Sequence, residues 1–174
     1  MGKTNYSISL QEDSKNFITE ATLQLLEAKS YSKLTVMEVV KRAGVSRMAF
    51  YRNFESIEDV LKQYYSPKFE TFFDKVKQTN VNEMEELELL TEFFSVMKND
   101  LKKSIDHEYD SIFFDILSKQ TELFIQPKNR LEYYQTKYIT SGTFAVWKAW
   151  LSEDDGTSLA DMGALLSYLT KDRY

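Results

Sequence analysis

The sequence contains no cysteine, one histidine, two prolines and five glycines among 174 residues. Without cysteine there is no disulfide framework, no thiol nucleophile and no thiolate-ligated zinc or iron–sulfur centre. With His107 standing alone, multi-histidine metal sites are excluded and any histidine-based triad has a single candidate. So little glycine and proline argues against turn-rich all-β folds and disordered linkers. No run of about 18 apolar residues occurs, so no segment is expected to span a membrane. Met1 to Gln11 is polar and lacks the apolar stretch of a secretory leader, and a cytoplasmic location is expected. Neither GxxxxGK[ST] nor GxGxxG is present, which removes the two commonest phosphate-cradling loops.

What is present is 43% hydrophobic residues, 28% charged residues and a formal net charge of -5. At about 150 residues per domain this is one or two domains, with enough chain to bury a core unaided. Charge is unevenly spread, net +1 over residues 1–65 and net -6 over residues 66–174. Within the first block, Lys33 to Asn53 holds five basic residues (Lys33, Lys41, Arg42, Arg47, Arg52) against the single acid Glu38. A basic stretch in an acidic chain points to an anionic partner at one face, the alternative being an ordinary solvated face.

The apolar periodicity is helical throughout, with no strict alternation and no internal repeat. Residues 14–28 place Phe17, Ile18, Ala21, Leu25 and Ala28 at helical spacing, with Ser14 as a candidate N-cap. Thr35 and Glu38 fit a capping box, and Gly44 is suited to end the helix that follows. Ser46 and Ser56 are candidate N-caps for the next two helices, and Ser66-Pro67 reads as the end of one helix and the start of another. Beyond it the periodic stretches run through residues 68–78, 84–101, 109–124, 130–151 and 158–170. The sum is an all-α protein of about nine helices, four before Ser66, divided into a domain at 1–65 and another at 66–174.

Two short helices around a glycine turn, Thr35–Ala43 and Ser46–Asn53, form a helix-turn-helix by spacing. The second is basic at both ends, with Ser46, Met48, Tyr51 and Asn53 among the candidate outward side chains, while Ala49 and Phe50 can pack against Val36, Val39 and Val40. Such a helix fits the major groove of DNA, where Arg can bond guanine, Asn can pair with adenine, and Tyr or Lys can hold phosphates.

The stretch LTV…VVKRAGVS…AFYRNFESIEDVL, residues 34–61, resembles the DNA-binding domain of TetR-family transcriptional regulators, and the likeness extends over about residues 14–65. The resemblance implies that Thr35 holds a phosphate through its hydroxyl or amide. It implies that Ser46, Arg47 and Met48 face base edges or flanking phosphates, that Tyr51 contacts the sugar–phosphate backbone, and that Arg52 reaches phosphate or bases. Phe50 and Phe54 are expected to clamp the helix from the core. Family members usually carry a phosphate-binding Lys where this chain has Ile57, so the helix amides, and Lys62 a turn and a half later, are the expected substitutes. With Lys3 alone before Lys15 in the N-terminal arm, the expected DNA affinity is modest.

The last 109 residues are similar to the family in architecture, and GTFAVWKAWL looks like the penultimate helix of a branch with short C-terminal domains. The resemblance implies a homodimer in which the last two helices meet their twins as a four-helix bundle. Trp147, Trp150, Leu166 and Leu169 are the expected contacts, with Gly142 and Gly163 allowing close approach. Aromatics such as Phe72, Phe93, Phe113 and Phe144 are expected mainly as core, with a small apolar or aromatic ligand or a partner protein as the regulator left open. No metal, no cofactor and no enzymatic activity are expected. His107 sits among acids without a nucleophile's motif context, and Glu83, Glu85, Glu86 and Glu88 lie where helix dipole and solvent account for them. The expected function is a dimeric transcriptional repressor on a palindromic DNA operator. The rivals are a co-regulator acting through a partner protein and, more remotely, a helix-bundle enzyme or lipid carrier.

Overall fold

The computed structural model describes residues 5–78, 83–153 and 155–170; Lys3 and the side chains of Glu83, Glu85 and Glu86 lie outside the described residues. Among them are eight α-helices and no strand: α1 (Asn5–Leu26), α2 (Val36–Ala43), α3 (Arg47–Asn53), α4 (Ile57–Gln78), α5 (Glu83–Asp106), α6 (Asp110–Ile125), α7 (Arg130–Glu153) and α8 (Leu159–Thr170). A single 3₁₀ turn, Tyr31–Lys33, joins α1 to α2. α1 packs on α2, α3 and α4, α4 lies along α6, and α5 lies against α8 and α7. One continuous apolar core runs from Ile18 in α1 to Leu166 in α8.

The first helix begins at Asn5, so Ser14 lies within it and is not its cap. The larger correction concerns Ser66-Pro67. The chain does not break there: α4 continues through Pro67 to Gln78, which is why eight α-helices stand where nine were expected. An interior proline removes one backbone hydrogen bond and ordinarily costs about 3 kcal/mol. Here Tyr65 and Phe69, one helical turn apart on either side of the proline, are both buried. Their rings pack on Phe113 of α6 at centroid distances of 4.4 and 6.1 Å. That two-point attachment to α6 keeps both halves of α4 in line, so one helix crosses the sequence position at which a domain boundary was expected.

The aromatic residues after Pro67 fill the interior. Phe69, Phe93, Phe94 and Phe113 are buried, and Phe94 stands edge-on to Trp147 at 4.6 Å. α6 ends where Gln126 takes a left-handed conformation (φ 51°) before Pro127. No described helix is long and apolar enough to cross a membrane.

Candidate nucleic-acid interface

α2 starts from a complete capping box. The Thr35 hydroxyl accepts from the Glu38 N–H at 3.3 Å, and the Thr35 N–H donates to the Glu38 carboxylate at 3.0 Å. The hydroxyl itself donates to the same carboxylate at 2.7 Å, and Lys29 completes an ion pair with it. Both donors that Thr35 could offer a phosphate are therefore already engaged within the chain. Lys29, and then Thr35, hold the Glu38 carboxyl down from its ordinary 4.5 to about 2. A carboxyl whose pKa falls on folding contributes stability above its unfolded value and loses it as pH drops towards the folded one. Thermal unfolding of wild type and Glu38→Gln should therefore differ most at neutral pH and converge between pH 4.5 and about 2. A gap independent of pH would exclude this ion pair as the cause. Thr35→Ala, which removes the cap itself, is expected to lower stability by about 0.5–2 kcal/mol in denaturant titration.

The turn to α3 needs Gly44, whose φ of 67° is one that a side chain resists. Ser46 then caps α3 by accepting the Ala49 N–H at 3.1 Å. Phe50 and Phe54 are buried and anchor the helix from below, with ring centroids 6.0 Å apart. This anchoring leaves one face open. Ser46, Arg47, Met48, Tyr51 and Arg52 are all exposed, Met48 at 78%. The Arg47 guanidinium lies 5.8 Å from the centre of the Tyr51 ring, a cation–π distance. Arg47, Met48, Tyr51 and Arg52 line one shallow depression. A convex rod carrying two guanidiniums, a phenol and a flexible thioether has the residue types for backbone and base-edge contacts together.

Asn53 and Lys62 depart from what the sequence led us to expect. Asn53 is half-buried, and its side-chain amide donates to the Ala49 carbonyl at 2.7 Å, so it serves the helix and not a base. Ile57 is part of the core. Lys62 pairs with Glu58 and, at 3.0 Å, with Asp115 of α6, and these partners raise its pKa; it faces the rest of the protein and does not replace a phosphate-binding lysine. Two further cations are held across helices: Lys15 stands 5.8 Å from the Phe54 ring, and Arg42 donates to the Gln24 side chain at 2.8 Å.

Of the four residues expected at a dimer contact, three lie inside one chain. Trp147 is 4% exposed, Trp150 8% and Leu166 2%, and the Trp150 indole N–H donates to the Thr157 carbonyl at 3.0 Å. Leu169 is exposed, together with Leu165 and Tyr168 on α8. α7 exposes a second apolar stripe at heptad-like spacing: Leu131, Tyr134, Tyr138, Gly142, Ala145 and Ala149. A Cβ added at Gly142 would meet nothing within 4 Å. Among the described residues no group of three acidic, histidine or cysteine side chains could hold a metal. His107 stands at the α5–α6 corner, and its backbone carbonyl accepts the Tyr31 N–H.

This arrangement of α1 to α4 matches a known family model, that of the bacterial regulatory proteins of the tetR family, over residues 18–64. Those residues are a TetR-family module. The whole fold agrees with that assignment. A TetR transcriptional regulator from Streptococcus agalactiae superposes with a TM-score of 0.65 at 21% identity, covering 94% of this chain and 97% of its own. The fatty acid degradation regulator FadR from Bacillus halodurans gives 0.55 at 18% identity over 97% and 96%. The dihydroxyacetone kinase operon activator DhaS gives 0.52 at 19% over 90% and 92%. No curated protein sequence matches the chain. At these identities the likeness over the rest of the chain is one of fold: an all-α protein with a TetR-type helix-turn-helix near its N-terminus.

Proposed function

We propose that the protein is a homodimeric transcriptional repressor that reads a palindromic DNA operator through α3. Residues 1–65 act as the reading head, and residues 66–174 carry dimerisation and regulation. The observation that carries this reading is the exposed face of α3: Arg47, Met48, Tyr51 and Arg52 stand free of the core while Phe50 and Phe54 clamp the opposite side. Thr35 and Ser46 cap the starts of α2 and α3, whose remaining first-turn N–H groups can receive phosphates. The exposed apolar stripes of α7 and α8 supply the surface for a second copy, and the two α3 helices would then enter major grooves roughly 34–36 Å apart.

Selection of duplexes from a random pool by the purified full chain, at about 150 mM salt to suppress non-specific phosphate binding, tests the proposal. An enriched inverted repeat is expected. A folded dimer that enriches nothing would overturn the DNA reading in favour of a co-regulator acting through a partner protein. The diversion of Lys62 to Asp115 and the buried Ile57 support that second reading, because both reduce phosphate contacts.

A further inference from the structure

Besides the unbroken α4 and its packing along α6, the described residues before Ser66 meet the remainder of the chain at one polar corner. The Tyr31 N–H donates to the His107 carbonyl at 2.8 Å, and the Ser32 hydroxyl donates to the Glu108 carboxylate at 3.0 Å. The Tyr31 and Tyr109 rings stand 6.5 Å apart beside them. Two ion pairs flank the corner: Lys103 of α5 with Glu27 at 2.9 Å, and Lys62 of α4 with Asp115 of α6 at 3.0 Å. Glu108 holds a φ of 65°, in the left-handed region, where a residue with a side chain is strained. Such a conformation persists only when its surroundings over-determine it. Here the surroundings are the 3₁₀ turn of the reading head on one side and the ends of α5 and α6 on the other.

Any of these polar groups could be satisfied by water, so their pairing is not required for folding. The apolar packing of α4 on α1 and α6 joins the two parts, and the pairing adds a polar constraint on the angle of α1–α3 against the body of the chain. In a two-fold dimer that angle sets the separation of the two α3 helices, and hence the number of base pairs between half-sites. We infer that this polar clasp, formed by Glu27 with Lys103, Lys62 with Asp115 and Ser32 with Glu108, determines the operator spacing that the protein accepts. The inference rests on the proposed dimeric DNA-binding function. These are positioning residues, because none of them lies on the exposed face of α3.

The test uses the selected inverted repeat rebuilt with its spacer lengthened or shortened one base pair at a time, with full-length wild type, Glu27→Lys, Lys103→Glu and the double reversal. Wild type should prefer one spacer. Exposed ion pairs are individually weak, so each single reversal should flatten that preference by roughly threefold to tenfold without unfolding the chain. Affinity for an isolated half-site should stay within about twofold, because α3 is untouched. The double reversal, which rebuilds the pair with its charges exchanged, should restore the preference. Asp115→Asn, on the second ion pair, should flatten it independently. Single variants that fold and keep the wild-type spacer preference would overturn the inference, as would a double reversal that restores nothing. If wild type enriches no inverted repeat, it is the DNA-reading proposal that fails, and the clasp loses its function with it.

Discussion

Arg47→Ala is expected to weaken binding to the selected operator by about 1–3 kcal/mol and to relax sequence preference at one position of each half-site. Arg47 opens α3 on its exposed face, with its guanidinium over the Tyr51 ring. A planar guanidinium held there presents two parallel N–H groups, the geometry that guanine O6 and N7 accept. Lys41 is the informative contrast. It is exposed on α2, off the groove-facing helix, so Lys41→Ala should reduce affinity evenly across sequences and make the salt dependence shallower, as loss of a phosphate contact does. Binding constants for both variants on the operator and on scrambled duplexes separate the two roles. An Arg47→Ala loss of only a few tenths of a kcal/mol would remove Arg47 as a base reader.

The second large effect concerns assembly. Leu165→Asp combined with Leu169→Asp should abolish the proposed dimer while leaving the helical content of the monomer unchanged. Both leucines lie outside the buried core of the single chain. Burial of one leucine is worth about 1.5–3 kcal/mol, and a two-fold interface loses each residue twice. Only about two-fifths of each side chain remains to be buried, so the summed loss is on the order of 3 kcal/mol before the aspartates' desolvation, enough to weaken a dimerisation constant about a hundredfold. Sedimentation at micromolar concentration should show a monomer, with operator affinity falling because one reading head binds alone. A dimer that survives the double substitution would move the interface away from α8. Trp147→Ala answers a different question: it opens the monomer core against Phe94 and should lower stability by about 3–5 kcal/mol, whatever the state of assembly.

Legibility in the sequence followed the range of the interactions. The Thr35–Glu38 capping box, the left-handed Gly44 and the Ser46 cap appear in the structure as the sequence implies. Each involves groups within four residues of one another, where side-chain type and spacing alone decide which hydrogen bonds can form. The same holds for the exposed face of α3. Met48 and Tyr51 there follow from a buried Phe50 and a 3.6-residue period, with Asn53 as the exception because its amide found a carbonyl one turn back.

Sequence alone therefore determined the all-α class, the helix-turn-helix with its caps, and Met48 and Tyr51 on its outward face. Tertiary structure decided the rest. It kept α4 unbroken through Pro67, because Phe113 holds Tyr65 and Phe69 from a helix far along the chain. It turned Lys62 towards Asp115, drew Trp147 and Trp150 into the monomer interior, and left Leu165, Tyr168 and Leu169 outside. Amphipathic periodicity tells that a residue will be buried but not by what. An apolar stripe facing its own core and one awaiting a second chain have the same spacing, and only packing of all eight helices distinguishes them.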